Sequence, residues 1–176
     1  MGVRQRKIQL IFGAILLALL GLWLIRSLIV PASSTTSPGG WSPVNAQARL
    51  PNVKLWLGSQ ELVAEIARAP QELATGMMFR TNMAPNEAML FLLPVAGQAS
   101  FYVKNIVIPL SCAYVDGDGT VLEVHDMKPK DETPILSATS NIQFVLEVNQ
   151  GWFEKNHIGP GTLVRTENGA LSDIEQ

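Results

Sequence analysis

Hydrophobic patterning divides the 176-residue chain into parts with different periods. From Ile8 to Ile25 eighteen residues run broken only by Gln9, behind Arg4, Arg6 and Lys7. As a helix this stretch would reach about 27 Å, close to the hydrocarbon thickness of a bilayer. Arg26 follows, where a long cation can snorkel to the interface, and Leu28 to Val30 extend the run. The basic flank predicts that this end stays in the cytoplasm and that the chain beyond it is extracytoplasmic, tethered to the membrane through residues 8–30. A cleaved signal peptide is the alternative, with Val30-Pro31-Ala32 ahead of a cut before Ser33, although the apolar run exceeds the usual length of about 7–15 residues. A buried core helix is the third reading. Residues 31–52, rich in Pro, Ser, Thr and Gly, predict a flexible linker.

After residue 53 the pattern changes to short alternating runs. Val53–Leu57 and Glu61–Ala67 flank Gly58-Ser59 and predict a hairpin. Pro70 at a first helical position and Gly76 at a stop predict a short helix between them, with Ala69 as a poor N-cap. Ala88–Leu93 reads as a buried strand, and Ser111–Val115 with Val121–His125 as two strands around Asp116-Gly117-Asp118-Gly119. That turn lacks the full twelve-residue calcium pattern and predicts a hairpin. Asp126–Asn141 reads as a long surface loop, Phe144–Asn149 as a strand with Phe144, Leu146 and Val148 inward, Gly151–Asn156 as one helical turn and Thr162–Thr166 as the last strand. Together these predict an α+β fold: a compact, strand-rich, barrel-like single domain over 53–166 with one or two short helices, then a polar, frayed tail over 167–176.

Charge narrows the partners. Four of the 13 Lys and Arg lie in the first 40 residues, leaving nine against 15 Asp and Glu, a formal charge of −6. This disfavours nucleic acid and anionic membrane surfaces as partners of the domain. Cys112 stands alone among apolar neighbours and reads as a core residue, which leaves no disulfide and no thiolate metal cluster. His125 and His157 read as surface residues, and Met77, Met78, Met83 and Met89 as core filler. The hydrolase, zinc-protease, P-loop and dinucleotide signatures are missing, so no metal or cofactor is predicted.

The stretch of most chemical interest is Phe101 to Leu110, where Lys104 and Asn105 interrupt an apolar run that ends in Pro109. Alternation predicts a strand up to Asn105, with Phe101 and Val103 on one face and Tyr102 and Lys104 on the other.

The order of motifs resembles the DUF192 (UPF0127) family of mostly exported domains without an established biochemical function. The resemblance rests on GMMFR (Gly76–Arg80), EAMLF (Glu87–Phe91), the Lys-Asn segment, YVDGDG (Tyr114–Gly119) and FVLEVNQG (Phe144–Gly151). It implies a small strand-rich α+β fold with barrel-like packing, and it extends to Arg80, Lys104, Asn105, Pro109, Glu147 and Gly151. The chain departs from the pattern at Ser111, where aspartate is usual, at Tyr102-Val103 in place of Trp-Met, and at Ile106 in place of Thr.

Arg80, Tyr102, Lys104, Asn105, Ser111 and Glu147 are therefore the candidate binding residues. Three readings follow. The first is a membrane-tethered binding or accessory module that holds a small anionic ligand, or an envelope protein, through Arg80 and Lys104. The second is an exported hydrolase acting on envelope material, with Glu147 as general base and Lys104 as electrostatic stabiliser. The third is a structural or assembly subunit. Against all three stands an internal ion pair of Glu147 with Arg80 or Lys104; an open, concave arrangement would favour a site and an enclosed pair would favour structure.

Overall fold

The computed structural model describes residues 43–175. The predicted membrane anchor lies outside the described residues, and among those described no helix is long and apolar enough to cross a membrane.

Ten strands follow in order: β1 (Asn52–Leu57), β2 (Gln60–Ala67), β3 (Glu87–Gly97), β4 (Ser100–Phe101), β5 (Leu110–Asp116), β6 (Val121–Met127), β7 (Ile135–Leu136), β8 (Ile142–Asn149), β9 (Val164–Thr166) and β10 (Gly169–Ala170). Eight form one sheet in the order β10-β9-β1-β2-β3-β8-β5-β6, and β4 pairs with β7. The β1–β2 hairpin closes over Gly58-Ser59, with Leu57 opposite Gln60 and Gly58 at φ 61°, where glycine carries no Cβ penalty.

The sheet curls until its two ends meet. The Val121 N–H donates to the Thr162 carbonyl, and the Val164 N–H to the Gly119 carbonyl, both at 2.8 Å. Gly119 is required there, because a Cβ on it would lie 2.8 Å from the Val164 carbonyl oxygen. The Asp116 carboxylate holds this turn by accepting from the N–H groups of Asp118 and Thr120. The DGDG sequence thus works as a hairpin turn, and no metal-binding cluster exists among the described residues.

Alternation along the central strands produces two cores, one on each face. Leu55, Leu62, Leu90, Ala113, Phe144, Leu146 and Val148 fill the inner face, with Phe153 of helix α2 (Trp152–Lys155) packed against them. Met89, Phe91, Cys112, Tyr114 and Val145 form the other face. Two connections cover this second core. Because β2 and β3 are parallel, the chain between them must cross over the sheet, and it carries helix α1 (Pro70–Thr75) and the Gly76–Arg80 run with it. The connection from β3 to β5, residues 98–109, is the other cover. It is clamped by β7, by the Ser137 hydroxyl accepting from the Ala99 N–H, and by the Tyr114 hydroxyl, which donates to the Ile135 carbonyl.

Helix α1 starts and stops where the sequence predicts. Glu72 compensates the poor Ala69 cap: its Oε2 accepts from the N–H groups of both Arg68 and Ala69 at 2.9 Å, which lowers its pKa.

Three expectations need correction. The strand predicted to Asn105 ends at Phe101, because Asn105 turns into the left-handed region at φ 53° and its carbonyl accepts from the Phe79 N–H at 2.8 Å. The end of the predicted linker is bound to the domain. Gln47 donates to the carbonyls of Gly76 and Glu72, Arg49 pairs with Glu65, and Leu50 packs on the second core. The tail after Glu167 is ordered through Glu175, because β10 pairs with β9 and Leu171 is fully buried.

Candidate functional site

The two covers over the second core are irregular connections, and they leave a cavity of about 330 Å³ between themselves and the sheet. Leu73 and Thr75 of α1, Gly76, Met77 and Met78 form one side, and Ser100 to Tyr102 with Ile106 form the other. The floor is Phe91 and Leu93 of β3 with Glu147 of β8. Gly76 lets the chain pass over the floor: its φ is 46°, and a Cβ there would stand 3.0 Å from the Phe91 ring. Phe91 and Phe101 meet edge-to-face with centroids 5.0 Å apart, so aromatic surface lines the cavity on two sides.

Glu147 is the one chargeable carboxyl in this lining. It is only 2% exposed, its Oε2 has no hydrogen-bond partner, and no ion pair reaches it among the described residues. Burial alone pushes its pKa up to about 8, so at neutral pH it is chiefly an uncharged acid. Its register neighbours are Met89 on β3 and Cys112 on β5. The Cys112 thiol is fully buried and is raised to about 12, first by burial and then by the nearby carboxyl, which makes it the inert core residue expected from the sequence.

The register places a second acid in the same row of side chains: Glu65 on β2 lies beside Met89, whose other neighbour is Glu147. Glu65 is fully engaged. It accepts from Arg49 at 2.6 Å, from Arg80 at 2.9 Å and from the Leu50 N–H at 2.7 Å. The expected pairing of Glu147 with Arg80 or Lys104 is therefore not formed. Arg80 is taken by Glu65, and Lys104 stands exposed beside the left-handed Asn105, outside the cavity lining and without an ion pair among the described residues.

Of the six residues singled out by sequence, Tyr102 and Glu147 meet at one cavity. Arg80 is a buried structural cation, with its Nε unpartnered, and Asn105 acts through its backbone. Ser111 faces the other way: it lies opposite Val148 of the inner core, and its hydroxyl donates to the Asp126 carboxylate at 2.5 Å and accepts from the Gly151 N–H. The sequence reading missed Glu65. Its signal was an acid midway along a strand whose next two positions, Ile66 and Ala67, are apolar. It also missed Phe91, whose run of apolar residues with no polar alternation marks a strand buried on both faces.

Comparison with known proteins extends this picture. The DUF192 family model, described as "Uncharacterized ACR", matches residues 53–166. A crystal structure from Sinorhizobium meliloti 1021, named as a candidate transcription regulator, superposes with a TM-score of 0.63 at 28% identity, covering 68% of this chain and 97% of the other. A protein of unknown function from Novosphingobium aromaticivorans DSM 12444 superposes with a TM-score of 0.59 at 32% identity, covering 72% and 99%. No curated protein matches the chain.

Proposed function

Because the chain belongs to the DUF192 family, whose description assigns no activity, we propose its function from the cavity: the domain binds a small, mainly apolar molecule and holds that molecule's polar group with Glu147. The single supporting observation is an unpartnered carboxyl, almost fully buried, on the floor of a 330 Å³ apolar cavity. An unsatisfied buried polar group costs about 1–3 kcal/mol, which a ligand that supplies the missing partner recovers on binding. The lining argues for a neutral or cationic polar group over the anionic ligand suggested by the sequence, since it contains no Lys, Arg or His to pair with an anion. The hydrolase reading loses its stabiliser, because Lys104 is not part of the lining.

The apolar span at residues 8–25 with its basic flank supports placing this binding module on the extracytoplasmic side, tethered to the membrane. The formal charge of −6 after residue 40 argues against nucleic acid as a partner of this chain.

Leu73→Trp, which fills the cavity from α1, tests the proposal. Native mass spectrometry of the full-length protein should find a small-molecule adduct on the wild type and none on Leu73→Trp. Equal adducts on both proteins, or none on either together with no ligand-induced rise in Tm across a panel of apolar compounds, would refute it.

A further inference from the structure

The aromatic surface and the lone carboxyl occupy the same cavity, and the two features select for the same chemistry. Phe91, Phe101 and Tyr102 present three rings to the space that Glu147 floors. Aromatic faces attract cations, and a carboxyl without a protein partner can take an ammonium as its counter-ion. From this juxtaposition we infer that the ligand is an organic cation, an amine with a hydrocarbon body, whose ammonium group pairs with Glu147 while the body lies against Phe91, Phe101 and Tyr102. This deepens the reading of the cavity as a ligand site and rests on it.

Among the described residues no group competes for the role of the cation. The strands beside Glu147 present Met89 and Phe91 from β3 and Cys112 and Tyr114 from β5. The Cys112 and Tyr114 side chains are held neutral, each raised first by burial, and the Tyr114 hydroxyl is committed to the Ile135 carbonyl. The lining from α1 and the Gly76–Met78 run contains no titratable side chain, and the 98–109 cover contributes only Tyr102. Of the nearby cations, Arg80 is bonded to Glu65, and Lys104 is exposed and lies off the lining. The formal charge of −6 over the residues after position 40 also favours the approach of cations over anions.

A cation in the cavity stabilises the carboxylate form of Glu147, so binding must expel its proton to solvent. Since the empty site is protonated at neutral pH, just under one proton leaves per amine bound at pH 7.

Calorimetric titration of the full-length protein at pH 7 with hexylamine, 1-hexanol and hexanoate tests this. Performing it in two buffers of different ionisation heat counts the released protons. Hexylamine should bind at least about tenfold tighter than 1-hexanol, with proton release, and hexanoate weakest of the three. Glu147→Gln should abolish the amine preference and the proton release while retaining 1-hexanol. Tyr102→Ala, at an exposed position, should weaken hexylamine severalfold. Equal or tighter binding of 1-hexanol would overturn the cation inference and leave the apolar-ligand reading standing. Failure of all three probes to bind would overturn both.

Discussion

Glu65 and Glu147 are two buried acids in one row of one sheet face, with Met89 between them, and they live in opposite conditions. Glu65 has two arginines and a backbone N–H on its oxygens, whereas Glu147 has an oxygen with no partner and a cavity in front of it. The difference comes from the covers. The Gly76–Arg80 run and the segment entering β1 deliver Arg80, Arg49 and Leu50 to Glu65. Over Glu147 the covers deliver methionines, aromatic rings and a gap. A buried acid with its oxygens fully engaged is structural, and one with an unpartnered oxygen beside open volume points to a ligand.

The contrast can be broken most forcefully at Glu65. Glu65→Leu strands the Arg80 guanidinium in a site where it is only 9% exposed, and should cost about 3–5 kcal/mol in urea denaturation. A cost under about 1 kcal/mol would show that the cluster is not structural.

Glu147→Gln should have the opposite sign, and only at high pH. The folded-state pKa of about 8 lies above the ordinary value of 4.5, so the native protein holds a proton that the unfolded chain has released. Stability is therefore highest below pH 4.5, falls as pH rises towards 8, and is flat beyond. The substitution removes this slope. After the cost of an unpaired buried amide, the variant should be more stable than wild type by roughly 1–3 kcal/mol at pH 9. Parallel stability profiles from pH 5 to 9 would contradict the difference between the two acids.

The smallest effect belongs to Lys104. Lys104→Met should change stability by less than about 1 kcal/mol, because the ammonium is exposed and no ion pair reaches it among the described residues. A loss of several kcal/mol in the same denaturation series would mean that Lys104 has a structural partner.

How far the sequence disclosed this arrangement depended on whether a feature was local. Gly58-Ser59, Pro70 and Gly76 mark their turns and helix ends by backbone chemistry, and the hairpin and α1 were legible from them. Glu147 stood out as an acid between inward Leu146 and Val148. Its lack of a partner was not legible, because Arg80 is 67 positions away in the chain and its choice of Glu65 is made by sheet register. Alternation at Phe101–Lys104 correctly sorted buried from exposed side chains, with Val103 buried and Tyr102 and Lys104 exposed. It did not reveal that no strand follows, since the left-handed turn at Asn105 is a backbone property that many asparagines lack. Leu171 lies in the tail that reads as polar, and the pairing of β9 with β10 carries it into the core.

Glu147 is a buried acid with an unpartnered oxygen at the cavity floor, and both the ligand site and its preference for a cation depend on this. The direct measurement is a ¹³C NMR titration of its side-chain carboxyl in the ligand-free protein, with the resonance assigned by its absence in Glu147→Gln. A midpoint at about 8 is the expected result, and a midpoint near the ordinary 4.5 would show that the carboxyl is hydrated or paired and would contradict the account.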